Sequence, residues 1–322
     1  FCNEQGISYN LCGKVIVATN EDERPTLHGL YERGQANGVI CSIINCERLH
    51  ELEPYTAGIE AIHVPEAGII DYKVVCKRLA EIIVERGNEI KLGAEVAAVK
   101  ESDREVNVTT SLGDFSAGYL INCAGVYSDR VTKMSGMDAQ AQIIPFRGEY
   151  FELKPDAQHL CRSLLYPVPD PKFPFLGVHF TLIIDGRVTC GPNAVLAFAR
   201  EGYGLTDVNA QDLIEILRYP GFQKLAGRFW RTGMGEIWRS ASKGAFVNAL
   251  QKLVPDIREE HLVKAPAGIR AQALLPDGSL MDDFAFQESA RIVNVINAPS
   301  PAATSSLAIG QTVVEQLATH MV

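Results

Sequence analysis

The 322-residue sequence has no run of 18 or more apolar residues, so no stretch of it reads as a membrane-spanning helix. It also lacks basic excess: 39 acidic side chains against 30 Lys and Arg leave a formal charge of −9. Without a broad positive field, the phosphate backbone of a nucleic acid or an anionic bilayer has nothing to hold. No amphipathic basic segment that would secure a membrane contact is present either, and the expected location is cytoplasmic. Cysteine is present but unorganised. The eight residues, at positions 2, 12, 41, 46, 76, 123, 161 and 190, form no CxxC pair and have no histidine at ligand spacing. They argue against a metal site and read as free thiols of a reducing compartment. His28, His50 and His63 sit in polar or half-polar surroundings and receive no ligand role, and the only tryptophans, Trp230 and Trp238, read as packing residues.

What the chain has in quantity is apolar residue, 47% of the total, enough for one large or two coupled domains. Its order is helix and strand in alternation, the pattern of an α/β (α+β) protein. A strand is predicted over 11–19, a helix over 22–37 closed by Gly38, strands over 39–44 and 59–64, and the cleanest helix over 71–86 with Gly87 at its end. Strands over 89–92, 94–100, 105–110 and 115–122 follow, the middle pair turning at Ser102-Asp103. After a helix at 128–134 the chain becomes strand-rich: 143–153, 164–168, 175–184 and 188–191, with Asp185-Gly186 as a hairpin turn and Pro167, Pro169, Pro171 and Pro174 stiffening one connection. Residues 209–253 read as amphipathic helix broken near Pro220-Gly221 and Gly233.

The C-terminal stretch organises the rest. Ile292 to Ile296 is a buried strand by composition, and it stops at Asn297-Ala298-Pro299-Ser300-Pro301. Ser300 can cap a helix that starts at Pro301 and runs through Ala302, Ala303, Thr304 and Ser305 towards His320. A helix N-terminus with only small side chains lets a ligand reach free N–H groups at the positive end of the dipole, which is how a cofactor is seated. A tight strand-helix packing junction selects the same residues, and composition alone does not choose between the two.

The wording of the segments chooses. PAGIRAQALLPDG and NAPSPAATSSLAIG, together with GISYNLCGKVIVAT, GIIDY, LINCAGVYSDR, IIPFRGEYFELKP, LLYPVPDPKFPFLGVHFT and GPNAVLAFAREGY, resemble in sequence and order the flavin-dependent L-2-hydroxyglutarate oxidases and dehydrogenases. These belong to the D-amino-acid-oxidase-like flavoprotein superfamily, and the resemblance covers essentially the whole chain. It implies FAD as cofactor, a Rossmann-like FAD-binding domain, and an antiparallel-sheet substrate domain capped by helices. The expected division is 1–140 and 263–322 for FAD, interleaved with substrate-domain elements, and 141–262 for substrate. Such proteins open with a βαβ unit whose glycine-rich turn holds the pyrophosphate. No such turn occurs here, Gly233-Met234-Gly235 being the nearest imitation, so the chain reads as a fragment lacking that unit and is expected to be inactive without it.

Oxidising an α-hydroxy acid requires a hydride acceptor, a base for the hydroxyl proton and cations for the carboxylates. Arg270 matches the superfamily's α-carboxylate anchor, a structural ion pair being the alternative, and Arg147 is the second cation or a residue that pins the domain interface. His179, on an otherwise apolar strand, is the base or its partner, against the reading of a satisfied core histidine. Tyr166 and Asn193 are further substrate contacts. For FAD, the resemblance places Val96 along the adenine. Cys123, Ala124 and Gly125 end a strand near the cofactor, and Asn297 with the N–H groups of Ala302, Ala303 and Thr304 meets the flavin, Ser300 and Ser305 donating from their side chains. The implied reaction is oxidation of L-2-hydroxyglutarate to 2-oxoglutarate, with oxygen or a quinone as electron acceptor. A sister oxidase acting on an amino acid or glycerol 3-phosphate, and a non-catalytic fragment, are the alternatives.

Overall fold

The computed structural model describes residues 1–169, 177–229, 242–299 and 302–321. From the N-terminus come α1 (Cys2–Gln5), β1 (Tyr9–Asn10), β2 (Lys14–Ala18), α2 (Arg24–Ala36), β3 (Ser42–Asn45), α3 (Cys46–Leu52), β4 (Glu60–Val64), β5 (Ile69–Ile70) and α4 (Tyr72–Glu85). Next are β6 (Val96–Glu101), β7 (Val106–Thr110), β8 (Gly113–Ala117), β9 (Leu120–Asn122) and α5 (Ser128–Met134). The long β10 (Gln142–Leu153) leads to β11 (Leu164–Pro167), β12 (His179–Leu182), β13 (Val188–Gly191) and β14 (Val195–Leu196). Helices α6 (Ala210–Arg218), α7 (220–229) and α8 (Lys243–Leu250) precede β15 (Leu262–Leu274), β16 (Ala285–Glu288), β17 (Ile292–Asn297) and α9 (Ser306–Ala318).

Most expected elements are present, with three differences. Residues 89–92 carry no strand. The strand expected over 115–122 is two, β8 and β9, parted at Gly118 because β8 turns back on β7 while β9 joins a different sheet. As expected, the helical stretch over 209–253 breaks at Pro220, its first helix ending at Arg218 because the proline ring cannot extend it. At the C-terminus, Ala302–Ser305 forms a 3-10 turn and the α-helix begins only at Ser306. Ser300 and Pro301, the expected cap, lie outside the described residues, as do Pro171, Pro174, Trp230, Gly233 and Trp238.

The chain forms two compact units, Phe1–Ile82 with Gly148–Val195 and Arg231–Gly268, and Ile83–Arg147 with Leu196–Trp230 and Ile269–Val322. This partition differs from the expected one at residues 1–82 and 196–230. Residues 1–82 fall with 148–195 because β2 pairs with β11 in parallel register, Lys14 opposite Leu164 and Ile16 opposite Tyr166.

In the first unit the strands run in the order β13-β12-β11-β2-β4-β3, every neighbouring pair except β11 and β2 being antiparallel. Strand alternation sorts the side chains. Val15, Val17, Leu165, Phe180, Val188 and Cys190 point to a core completed by Phe246, Val247 and Leu250 of α8. Lys14, Tyr166 and His179 therefore share the other face, where Lys14 and Tyr166 are half-buried.

Glu53, just after α3, is fully buried in this unit, and its carboxylate accepts hydrogen bonds from Ser163 Oγ at 2.6 Å and the Arg162 N–H at 3.0 Å. Burial, outweighing these bonds, holds its pKa above the ordinary glutamate value of 4.5. The folded state then binds the proton more readily than the unfolded state, so stability falls as pH rises from 4.5 towards the folded value. Urea titrations across that interval are expected to show a flatter pH dependence for Glu53→Gln. Glu53→Ala, which leaves Ser163 and Arg162 without their acceptor, is expected to cost about 1–3 kcal/mol.

The second unit contains the sheet β16-β17-β9 and the separate meander β6-β7-β8. Strands β17 and β9 are parallel, Ile292 opposite Leu120 and Asn294 opposite Asn122. All six residues of β17 are buried, as its composition predicts. Val313 and Leu317 of α9 pack on Val293 and Val295, while Val131 of α5 packs against Val99, Val106 and Ile292.

Candidate functional site

The carboxyl ends of β9 and β17 lie side by side, and small residues follow each in the sequence. Asn122 makes the first turn. Its Oδ1 accepts from the Ala124 N–H at 3.0 Å, and its Nδ2 donates to Ser128 O at 3.0 Å and to Asn294 Oδ1 at 2.9 Å. Both asparagines are buried, so each strand end is fixed to the other by a fully used amide. Asn297 closes β17 in the same manner, donating from Nδ2 to Met281 O and Asp283 O. Gly125 follows with φ of 57°, a backbone angle that favours glycine.

These ends open onto a cleft of about 460 Å³ lined by Cys123, Gly125, Asn297, Ala302, Ala303 and Gly310, with Ile143, Ile309 and Val313 as its larger apolar walls. A Cβ added at Gly125 or Gly310 would meet no atom within 4 Å, so the open space is next to the backbone itself. Ala303, Thr304 and Ser305 are exposed.

A buried ion network braces the turn from behind. Arg200, 2% exposed, makes a two-pronged bond to Asp129, Nη1 to Oδ1 at 2.6 Å and Nη2 to Oδ2 at 2.9 Å, and donates to the Val126 carbonyl. Asp129 Oδ2 also accepts from the Ile143 N–H, and Asp212 accepts from the Arg200 N–H at 2.8 Å. Arg130 bridges Asp212 at 2.5 Å and Glu215 at 2.8 Å.

The other expected site residues fall as follows. In the first unit, the rings of Tyr166 and His179 stack at 4.0 Å with an interplanar angle of 18°. His179 Nδ1 lies 2.9 Å from the Gly177 carbonyl. A carbonyl only accepts, so Nδ1 carries hydrogen, and in the neutral ring the lone pair is on Nε2. Asn193 is buried and its Oδ1 accepts from the Glu149 N–H at 2.8 Å, where Gly148 lets Pro192 approach β10. In the second unit, Arg147 is buried on β10 and Arg270 half-buried on β15. Val96 stands apart from the cleft, packed with Val99, Val106 and Ile292. Sequence reasoning missed Asn122 and Asn294, whose signal was an amide at the end of or inside an apolar run, and Asp129 and Arg200, which carry no local signal. It also missed Lys14, whose Nζ lies 4.0 Å from the centre of the Tyr166 ring.

A cleft at the carboxyl ends of parallel strands, beside the start of a helix, is where open α/β sheets bind nucleotide cofactors. The family description "FAD dependent oxidoreductase" matches residues 1–316. This chain belongs to that family. Among its relatives, L-2-hydroxyglutarate dehydrogenase of Indibacter alkaliphilus is 50% identical over 317 residues, covering 98% of this chain and 79% of the relative. The human mitochondrial L-2-hydroxyglutarate dehydrogenase is 42% identical over 335 residues, covering 98% and 72%. Among solved structures, the FAD-bound L-α-glycerophosphate oxidase of Mycoplasma pneumoniae shares the fold, with a TM-score of 0.74, 20% identity, and coverage of 95% of this chain and 72% of that one.

The cleft of this FAD-dependent oxidoreductase suits the cofactor of its family. The open space beside Gly125 and Gly310 is what a flat ring system laid on backbone requires. Enlarging the wall should therefore empty it. Ala303→Phe is expected to weaken FAD binding roughly tenfold or more, a loss of about 1.4 kcal/mol, because the phenyl ring would occupy the space against the backbone. Absorbance after desalting checks this, and stoichiometric flavin in the variant would move the cofactor elsewhere.

Proposed function

We propose that this chain oxidises L-2-hydroxyglutarate to 2-oxoglutarate. The observation that carries the substrate assignment is 50% identity across 98% of the chain with a relative bearing that activity's name. FAD, when bound, accepts the hydride from Cα. Cys123, Ala124, Gly125, Asn297, Ala302 and Ala303 would hold it, with Thr304 and Ser305 beside them.

The chain's own residues do the remaining work. His179 accepts the hydroxyl proton at Nε2, its Nδ1–H being committed to the Gly177 carbonyl, and the Tyr166 ring holds the imidazole plane. Arg270 binds the α-carboxylate through a guanidinium fork. Arg147 is a further cation of the site, in surroundings dry enough to strengthen an ion pair. Asn193, which holds β10 by accepting from the Glu149 N–H at Oδ1, is a further substrate contact. Oxygen or a quinone then takes the electrons, and contact with a membrane is peripheral. Among the described residues, no helix is long and apolar enough to cross one.

Anaerobic addition of L-2-hydroxyglutarate to the FAD-loaded protein tests the reading. Bleached flavin absorbance with one equivalent of 2-oxoglutarate supports it. Bleaching instead by glycerol 3-phosphate or an amino acid reassigns the substrate, and no bleaching by any of them removes the catalytic reading.

A further inference from the structure

The face of the first unit's sheet that carries Tyr166 and His179 has a third member. Lys14 Nζ lies 4.0 Å from the Tyr166 ring centre on one side, and the His179 ring stacks at 4.0 Å, so ammonium, phenol ring and imidazole form one column. Register explains the column. Lys14 is opposite Leu164 and Ile16 is opposite Tyr166 across the β2-β11 pair, and Leu165 is opposite Phe180 across β11-β12, which sets Lys14, Tyr166 and His179 on a single face.

An ammonium here needs a reason. The rest of β2 is Val-Ile-Val-Ala, with Val15, Val17 and Ala18 fully buried, and Lys14 is itself half-buried. Burial lowers its pKa, and no described carboxylate pairs with it. The ring face of Tyr166 offsets only part of that cost, about 0.5–2 kcal/mol for a cation over an aromatic ring. A desolvated cation without an anion is an unusual thing to keep inside an apolar strand, and it attracts an anion strongly because the local dielectric is low.

We propose that Lys14 receives the far carboxylate of a dicarboxylic acid whose hydroxyl faces His179. One aromatic ring separates the ammonium from the imidazole, a gap comparable to that between the hydroxyl and the remote carboxylate of a five-carbon diacid. Tyr166 is then the spacer that fixes chain length, and the column selects a diacid over a monoacid. This assignment rests on the hydroxy-acid reading above and supplies its specificity.

The test is calorimetric titration of the FAD-loaded protein with glutarate and with pentanoate, which has the same length but one carboxylate. The wild-type protein is expected to bind glutarate at least about tenfold more tightly, the worth of one well-placed charge pair. Lys14→Met should reduce that preference to within roughly twofold while leaving pentanoate affinity unchanged, and Lys14→Arg should keep most of it. Equal weakening of both ligands would mean that the substitution damaged the sheet, and an unchanged preference in Lys14→Met would mean that another cation takes the far carboxylate. Either result, or no preference in the wild type, overturns the proposal. Flavin bleaching by L-2-hydroxyglutarate on the same preparations separates the two readings. Its absence from the wild type sinks the substrate assignment, whereas its presence beside an unchanged glutarate preference in Lys14→Met sinks only the role of Lys14.

Discussion

Replacing Arg200 by methionine is expected to destabilise the protein by about 3–5 kcal/mol, the usual result of stranding one member of a buried ion pair. Arg200 is 2% exposed and Asp129 is fully buried, so water cannot reach the carboxylate that remains. The loss spreads along the backbone. Arg200 also satisfies the Val126 carbonyl within the 125–127 turn, while Asp129 satisfies the Ile143 N–H at the start of β10. Methionine fills the volume but restores neither bond. Arg200→Lys should lie between, because an ammonium cannot make the two-pronged contact with Oδ1 and Oδ2. Removing both charges with Arg200→Met and Asp129→Leu is expected to cost less than the sum of the single changes, the sign of a coupled pair. Urea unfolding of the four proteins measures the cycle. FAD affinity of Arg200→Met should fall as well, since Gly125 and Ser128 line the cleft and flank the turn that Arg200 holds. A single-variant cost below about 1 kcal/mol would mean that the network is a surface-like pair with no structural hold.

That network marks where sequence reading stops. Elements with a strong local signature were legible. Helix α5 falls over the expected residues 128–134, strand β13 follows the Asp185-Gly186 turn as expected, and Gly38 and Gly87 end their helices with φ of 73° and 79°. The small residues of the proposed cofactor cleft, Cys123 and Gly125 after β9 and Asn297, Ala302 and Ala303 at and beyond the end of β17, stand out one stretch at a time in the sequence. What failed depended on partners distant in sequence. Gly118 breaks a run that propensity reads as one strand, since Phe115 answers to β7 and Leu120 to β17. The division of the chain turns on the pairing of β2 with β11, about 150 residues apart, for which no local pattern exists. Arg200 and Asp129 are two ordinary charged letters until the fold brings them to 2.6 Å, and Lys14 is a strand residue until Tyr166 slides beneath it. Periodicity locates faces of elements, and chemistry arises where faces of different elements meet.

The largest kinetic effect is expected at His179. His179→Ala should slow flavin reduction by L-2-hydroxyglutarate by about 10²- to 10⁴-fold, the span ordinarily contributed by a positioned general base. In the proposed role, Gly177 O keeps the hydrogen on Nδ1, Tyr166 stacks on the ring and β12 pairs with β13 at Gly191, which leaves Nε2 as the accepting nitrogen. A base acts in the chemical step, so the limiting rate of anaerobic bleaching should fall while the substrate concentration for half-maximal rate changes little. Added imidazole should recover part of the rate in His179→Ala, because the cavity left is the size of the missing ring. FAD affinity should be unaltered, since no residue of β12 lines the cofactor cleft. Tyr166→Phe keeps the stack and should keep most of the rate, while Tyr166→Ala frees the imidazole to rotate and should lose roughly tenfold, an amount typical of a small misplacement of a catalytic group. A histidine serving only the core would give a different pattern. His179→Ala would then lower the unfolding midpoint, leave the limiting bleaching rate within a factor of a few, and show no response to imidazole. That outcome would shift the base to another residue and leave the Tyr166 ring with Lys14 as its single functional neighbour.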